Sequence, residues 1–406
     1  MMWERLFTAF RIPAYRWMWS SSLAAAAGFQ PYMVGQGWLL YDLTESPFIV
    51  GLAPGLGAAA NLLFAPFGGV LADRMDRRLM VMLSQGLMAL AILTIGVLVV
   101  ADLVEVWHVL VMSMGHSVGM SLQRTSRNTF LLDVVGRNAF MNAMAGQFMS
   151  SQIAGLVGPF AAGFIIAGVG VGYLFLILGS IIVLGAFLML KVAPVPMEHR
   201  QTNSVFGELR ESINFIRKNR PVRGVLLTVL ITEGLGFSAW SMFPVIATEV
   251  LNGGPVVLGM LSTCRGLGGV VGTVVISSFG DIKSKGTVLF GAAITFGALL
   301  VLFSFSRNIP LSLFLIGLTG AASIMYNTQA QTVLPLLSPA EMRGRVMGLH
   351  SVVLTSIGFG ALGMGAVASL VGVTWSVLGG GSLVAVNGLG RSRMAGVINR
   401  EAGREA

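Results

Sequence analysis

One carboxylate in a long apolar run has the most chemistry to offer. Glu233 lies in VLLTVLITEGLGFSAW, residues 225–240, which carries no other charge. Arg265 stands alone in GPVVLGMLSTCRGLGGVVGTVVISS, residues 254–278, and His116 in VLVMSMGHSVGMSL, residues 109–122. Removal from water favours the neutral form of a carboxylate and a nearby guanidinium favours its charged form, so such a group can be poised to bind and release a proton. The chemistry is therefore proton coupling, with Glu233 as the carrier, Arg265 as its tuning partner and His116 as the other titratable candidate. Each has a plainer reading: a Glu233–Arg265 pair that fixes helix packing, and a hydrogen-bonded packing histidine. Nothing suggests catalysis. A single cysteine, Cys264, excludes an internal disulfide and any cysteine-based metal cluster, and four scattered histidines match no site motif, so neither an enzyme, a metal nor a cofactor is expected. GDIKSKGT, residues 280–287, lacks the spacing that wraps phosphates, which excludes an ATP-driven pump as a single chain.

Composition sets the elements that hold these residues. Of 406 residues 55% are apolar and 11% charged, the mean hydropathy is +0.81, and soluble domains carry about 25% charged residues. The chain reads as an all-α polytopic membrane protein. A crossing takes about 20 apolar residues, and twelve such runs fall near 17–41, 47–71, 79–101, 104–123, 139–167, 170–192, 224–250, 255–279, 286–306, 309–333, 346–371 and 374–390. Of the 26 Lys and Arg residues, 24 lie at alternate breaks, in the first 16 residues or in the tail. By the positive-inside rule both termini are cytoplasmic, which requires an even number of spans. The net charge of +9 is thus topological, and no nucleic acid is expected. The opening MMWERLFTAFRIPAYRW reads as a retained cytoplasmic lead in a cell (inner or plasma) membrane protein. By the helical rise Glu233 lies about 14 Å into the seventh span, Arg265 about 15 Å from the opposite side in the eighth, and His116 about 18 Å into the fourth.

The chain repeats itself without a gap at an offset of 208 residues. That shift pairs Gly28 with Gly236, Phe29 with Phe237, Pro47 with Pro255, Gly51 with Gly259, Asp73 with Asp281, Arg77 with Lys285 and Asp133 with Glu341. Two parallel six-helix halves follow, 1–192 and 223–406, as expected of transporters that rock about a site at the repeat interface. Glu233 corresponds to Ala25 and Arg265 to Gly57, so the intramembrane charges fall where the halves differ. The cytoplasmic linker 193–222 shows Val205, Phe206, Leu209, Ile213 and Ile216 on one face, as in an interfacial helix ended by Pro221.

GGVLADRMDRR, residues 68–78, resembles the loop 2–3 signature of the major facilitator superfamily, G-x-L-A-D-R-x-G-R-R. Gly69, Leu71, Ala72, Asp73, Arg74, Arg77 and Arg78 match, and Asp76 stands where glycine is usual. WLLYDLTESPFIVGL, DVVGRNAFMNAMA and SPAEMRGRVMGL are similar to the branch with macrolide-efflux and enterobactin-export proteins. The resemblance implies a cytoplasmic gate of this cluster, with Asp281, Lys285, Arg343 and Arg345, locking the outward-facing state. Arg77 and Arg78 can also pair with carboxylates or lipid phosphate; a plain positive-inside anchor is the rival reading. Gly146, Gly155, Gly158, Pro159 and Gly163 resemble the antiporter motif that bends the fifth span, although the spacing is one residue short and Ala162 replaces a glycine. The resemblance also implies that spans 1, 4, 7 and 10 line the path, placing Gln30, Gln36, His116, Glu233, Trp240, Tyr326, Asn327 and Gln329 there. So sparse a polar set suits a bulky amphipathic or cationic molecule. The expected function is proton-coupled efflux by a monomer, with a small-molecule substrate, protons and membrane lipids as partners. The alternative is a uniporter or importer of a small metabolite or lipid without proton antiport.

Overall fold

A computed structural model describes residues 8–194, 211, 214–280 and 284–402, with the side chains of 66–74, 125 and 402 outside that description. Among the described residues there is no strand. The long helices are α1 (Pro13–Thr44), α2 (Pro47–Arg74), α3 (Arg77–Val100), α4 (Val106–Val169) and α5 (Val171–Leu188). They continue as α6 (Arg220–Val250), α7 (Gly254–Ser278), α8 (Lys285–Phe305), α9 (Ile309–Leu336), α10 (Ala340–Val371) and α11 (Val373–Ser392), before a short α12 (Ala395–Ala402). Nine helical stretches among the described residues are long and apolar enough to cross a membrane. An α-helix is the element such a sequence must choose, because lipid offers no partner to an unpaired backbone group.

The helix ends follow local chemistry. Asn308 caps α9 by accepting from the Leu311 amide at 3.2 Å, and Asn219 caps α6 by accepting from the Val222 amide at 3.1 Å. Pro221, expected to end the linker helix, instead sits in the first turn of α6, where its missing N–H costs nothing. Of the linker's expected apolar face, Val205, Phe206, Leu209 and Ile213 lie outside the described residues, while Ile216 packs with Phe215 against a core of Val222, Leu226, Phe290 and Val333. The break expected between the fourth and fifth spans is helical. α4 runs through it for 64 residues and is interrupted only at Gly136, whose φ of 70° and ψ of 169° suit glycine alone. The charges there, Arg124, Arg127, Asp133 and Arg137, changed the polarity of the helix without ending it.

The chain forms two compact units. One contains residues 1–45, 56–200 and 254–263, the other 46–55, 201–253 and 264–406. Each takes in a ten-residue segment from the far side of the chain, and the two segments are related at both ends by the same 208 positions as the sequence repeat. In the first unit α1 packs on α4 and α5, and α3 on the same pair. In the second α8 packs on α9, α11 and α12, while α10 covers the middle of α6.

Candidate functional site

The middle of α6 is not an ordinary helix. Its regular first part, Arg220–Ile231, gives way to a π-helical turn at Thr232–Gly236, a 3-10 stretch at Phe237–Met242 and a second π-helical turn at Ile246–Val250. Glu233 is the second residue of the first wide turn. A π turn holds one extra residue, rotates everything beyond it by about 100° and recurs at functional sites. The neighbours are built for this shape. Gly234 and Gly236 leave room, Gly360 of α10 brings its backbone against the Gly234 carbonyl, and the Ser238 hydroxyl reaches the Gly234 carbonyl and, at 2.9 Å, that of Ile357.

Glu233 is 1% exposed. Its carboxylate accepts one hydrogen bond, at 3.2 Å, from the Asn327 amide of α9, whose oxygen in turn accepts from Gln331. Both amides thus donate toward the carboxylate, from an exposed Gln331 through a half-buried Asn327. Tyr326, fully buried beside Asn327, lies within electrostatic reach of the same group. No ion pair joins Glu233 to Arg265. The guanidinium lies instead over the Trp240 ring, 4.2 Å from its centroid, and that ring packs against Phe237 and Phe296. Matching depths fixed how far along their helices the two charges sit, not which way they point, and the wide turn re-aims the face of α6. Gln329 is buried on α9 with its oxygen unpartnered.

In the first unit His116 is stacked on Tyr32, with centroids 4.1 Å apart, and more distantly on Phe29. Its Nε2 and the Tyr32 hydroxyl find no hydrogen-bond partner, nor does the Nε2 of buried Gln36. Gln30 is half-buried near Gly155. The glycine row of α4 works as a packing device. A methyl at Gly158 would come within 2.7 Å of Pro31, and one at Gly163 within 2.7 Å of the Pro255 carbonyl. Trp19 donates at 2.9 Å to the Gly146 carbonyl. Pro159 lies within the same arm of α4.

The sequence matches the family described as transmembrane secretion effector over residues 5–397. The chain belongs to this family of major facilitator superfamily transporters. It is similar to the multidrug efflux pump Tap of Mycolicibacterium fortuitum, at 24% identity covering 81% of this chain and 82% of that protein. It is also similar to the staphyloferrin A transporter of Staphylococcus aureus, at 21% identity over 90% and 92% of the two chains, and to the enterobactin exporter EntS of Salmonella choleraesuis, at 23% over 79% and 78%. Among solved structures, a bacterial homologue of the human lysosomal transporter Spinster, inward-facing and unoccupied, aligns with a TM-score of 0.71 at 12% identity over 98% of both chains. The nucleoside transporter NupG aligns with 0.69 at 11% over 97% and 98%. Those two likenesses speak to the fold. The protein is a membrane transporter, not an enzyme.

In this major facilitator protein the signature cluster is partly visible. Arg77 pairs with Asp133 across the start of α3 and the first arm of α4, and Asp76 caps α3 through the Arg78 amide at 2.8 Å. The aspartate that departs from the signature therefore has a local job. Arg78 reaches the Leu190 carbonyl at 3.0 Å. The side chains of Leu71, Asp73 and Arg74 and the surroundings of Gly69 lie outside the described residues, as does Asp281. Lys285 is buried at the start of α8. Arg343 donates to the Pro335 and Ser338 carbonyls, each at 3.1 Å, and Arg345 pairs with Glu211 at 2.6 Å. Sequence reasoning missed Ser238, Gln331 and Gly360; the Gly-Leu-Gly after Glu233 was the one available signal for a break in α6.

Proposed function

We propose that this transporter exports a bulky amphipathic small molecule in exchange for protons, with Glu233 as the proton carrier. One observation carries the reading: a carboxylate 1% exposed in the wide turn of α6, held by a single amide hydrogen bond and, among the described residues, by no cation. Neutralising such a group when it is closed off and ionising it when it is wetted requires no ion pair to be broken. The efflux pumps and exporters among its relatives support the direction. The nine apolar stretches support twelve crossings if α4 crosses once on each side of Gly136 and α1 and α11 also span, with both termini cytoplasmic in the plasma membrane.

The test uses liposomes containing wild type or Glu233→Gln, a pH gradient without membrane potential, and simultaneous recording of lipophilic-dye flux and proton movement. Wild type is expected to couple the two. Glu233→Gln, with similar volume and an amide that never ionises, is expected to lose gradient-driven accumulation while keeping downhill flux. Coupled transport by the glutamine variant would move the proton to His116 or the substrate. Uncoupled flux by the wild type would support the uniporter alternative.

A further inference from the structure

The Arg265 guanidinium has an aromatic face beneath it and, among the described residues, no carboxylate beside it. Its partner among the described residues is the Trp240 ring at 4.2 Å, and the nearest acid the sequence offered, Glu233, is engaged by Asn327. Trp240 stands in the 3-10 stretch that follows the wide turn, so the distortion that houses Glu233 also aims the indole at α7. The indole Nε1–H is itself buried and finds no hydrogen-bond partner. The stacked pair therefore offers hydrogen-bond donors with no acceptor among them: five on the guanidinium fork and one on the indole. A ring quadrupole compensates only part of the cost of withdrawing a cation from water. An intramembrane cation left in this state marks a substrate or ion pathway. Close backbone contact fixes its position, since Gly320 of α9 lies against the Arg265 carbonyl and Gly268 of α7 against Gly317.

We propose that Arg265 and Trp240 form an anion-recognition site and that the transported amphiphile carries an acidic group, a carboxylate or its equivalent, held by the guanidinium fork and the indole N–H. The inference rests on the export reading above, narrows its substrate class from amphipathic to acidic, and stands against the cationic molecule that the sparse polar set alone also suited. A fork matches a planar carboxylate through two parallel bonds, which a lysine cannot reproduce. Glu233 then serves the proton and Arg265 the substrate, both within one compact unit.

The test is binding without any gradient. Full-length protein in detergent is titrated by thermophoresis with 2-naphthoate and with 2-naphthamide, its uncharged counterpart of nearly the same shape. Wild type is expected to prefer the carboxylate by about tenfold or more, the scale of a lost charge-assisted contact. Arg265→Gln is expected to bring the two affinities within about twofold, Arg265→Lys to fall between, and Trp240→Phe, which keeps a ring under the guanidinium, to lose roughly threefold on the carboxylate alone. Each variant is first checked by gel filtration and melting temperature. Absence of naphthoate binding, equal binding of both probes by wild type, or a preference that survives Arg265→Gln overturns the proposal. Glu233→Gln is expected to keep the naphthoate preference. Failure here thus leaves proton coupling standing, and failure of coupling in liposomes leaves a binding preference intact.

Discussion

Two glycines on the same turn of α10 should respond in opposite directions to the same methyl group. A Cβ on Gly360 would run into the Gly234 carbonyl and the Ser238 hydroxyl, whereas one on Gly363 would meet nothing within 4 Å. In a helix interior alanine is favoured over glycine by about 1 kcal/mol, so Gly363→Ala should gain up to that amount. At Gly360 the same gain is opposed by backbone overlap, and overpacking costs about 1–3 kcal/mol. Gly360→Ala should therefore be less stable than Gly363→Ala by roughly 1–3 kcal/mol, since the helix gain is common to both. At on the order of 1–2 °C per kcal/mol for a chain of this length, the melting temperatures should differ by about 1–6 °C. The protein supplies its own reporter: Cys264 is the single thiol, half-buried on α7, and a fluorogenic maleimide reads its exposure on heating in detergent. The overlap falls on the turn that presents Glu233, so Gly360→Ala should also weaken proton-coupled dye accumulation while Gly363→Ala leaves it intact. A Gly360→Ala protein that melts at or above Gly363→Ala would refute backbone contact as the support of the wide turn.

Two further outcomes are expected. Gly136→Ala places a Cβ in open space but on a backbone at φ 70°, ψ 169°, so the penalty is conformational alone, about 1–3 kcal/mol; the Cys264 melt should fall, and an unchanged melt would show that the break in α4 does not need glycine. Asp73→Asn should leave the protein in the membrane at wild-type abundance yet abolish dye transport, measured in the same liposomes; normal transport would remove the signature from gating.

Charge was the legible part of the site, and direction was not. Glu233 could be found because a lone carboxylate in an apolar run is costly whatever surrounds it. Its partner was misassigned. Helical rise gives depth, but azimuth depends on every residue per turn being counted correctly, and the π turn at Thr232–Gly236 adds one. Trp240 was placed on the transport path without its guanidinium, and Asn327 without its carboxylate. The same limit acted at the break near residue 130. A cluster of charges changes the polarity of a helix without ending it, and the helical backbone of α4 continues through this one, interrupted only at Gly136. Glycine spacing was more informative. The close contacts at Gly158 and Gly163 are what small residues at a helix interface permit in lipid, and they exist whether or not the row also serves antiport.

The offset of 208 gives these differences a common origin. It relates Tyr32 of α1 to Trp240 of α6, and each ring lies on a nitrogen base: Tyr32 on His116, with centroids 4.1 Å apart, and Trp240 under Arg265 at 4.2 Å. The aromatic position is thus kept while its partner is drawn from α4 in one unit and α7 in the other. At the companion positions the first unit has Ala25 for Glu233 and Gly119 for Asn327, and there a Cβ on Gly119 would strike Met88 at 2.6 Å. Where one unit holds the amide that binds the acid, its counterpart has helix packed closely on helix with no room for a side chain. The wide turn belongs to the same exchange. α1 stays helical through Pro31 from Pro13 to Thr44, whereas α6 breaks at the acid. A fold built by repetition can then share its packing between the halves and still place a buried acid in one of them alone, because a carboxylate, its amide partner and the turn that aims it are local substitutions on a common frame.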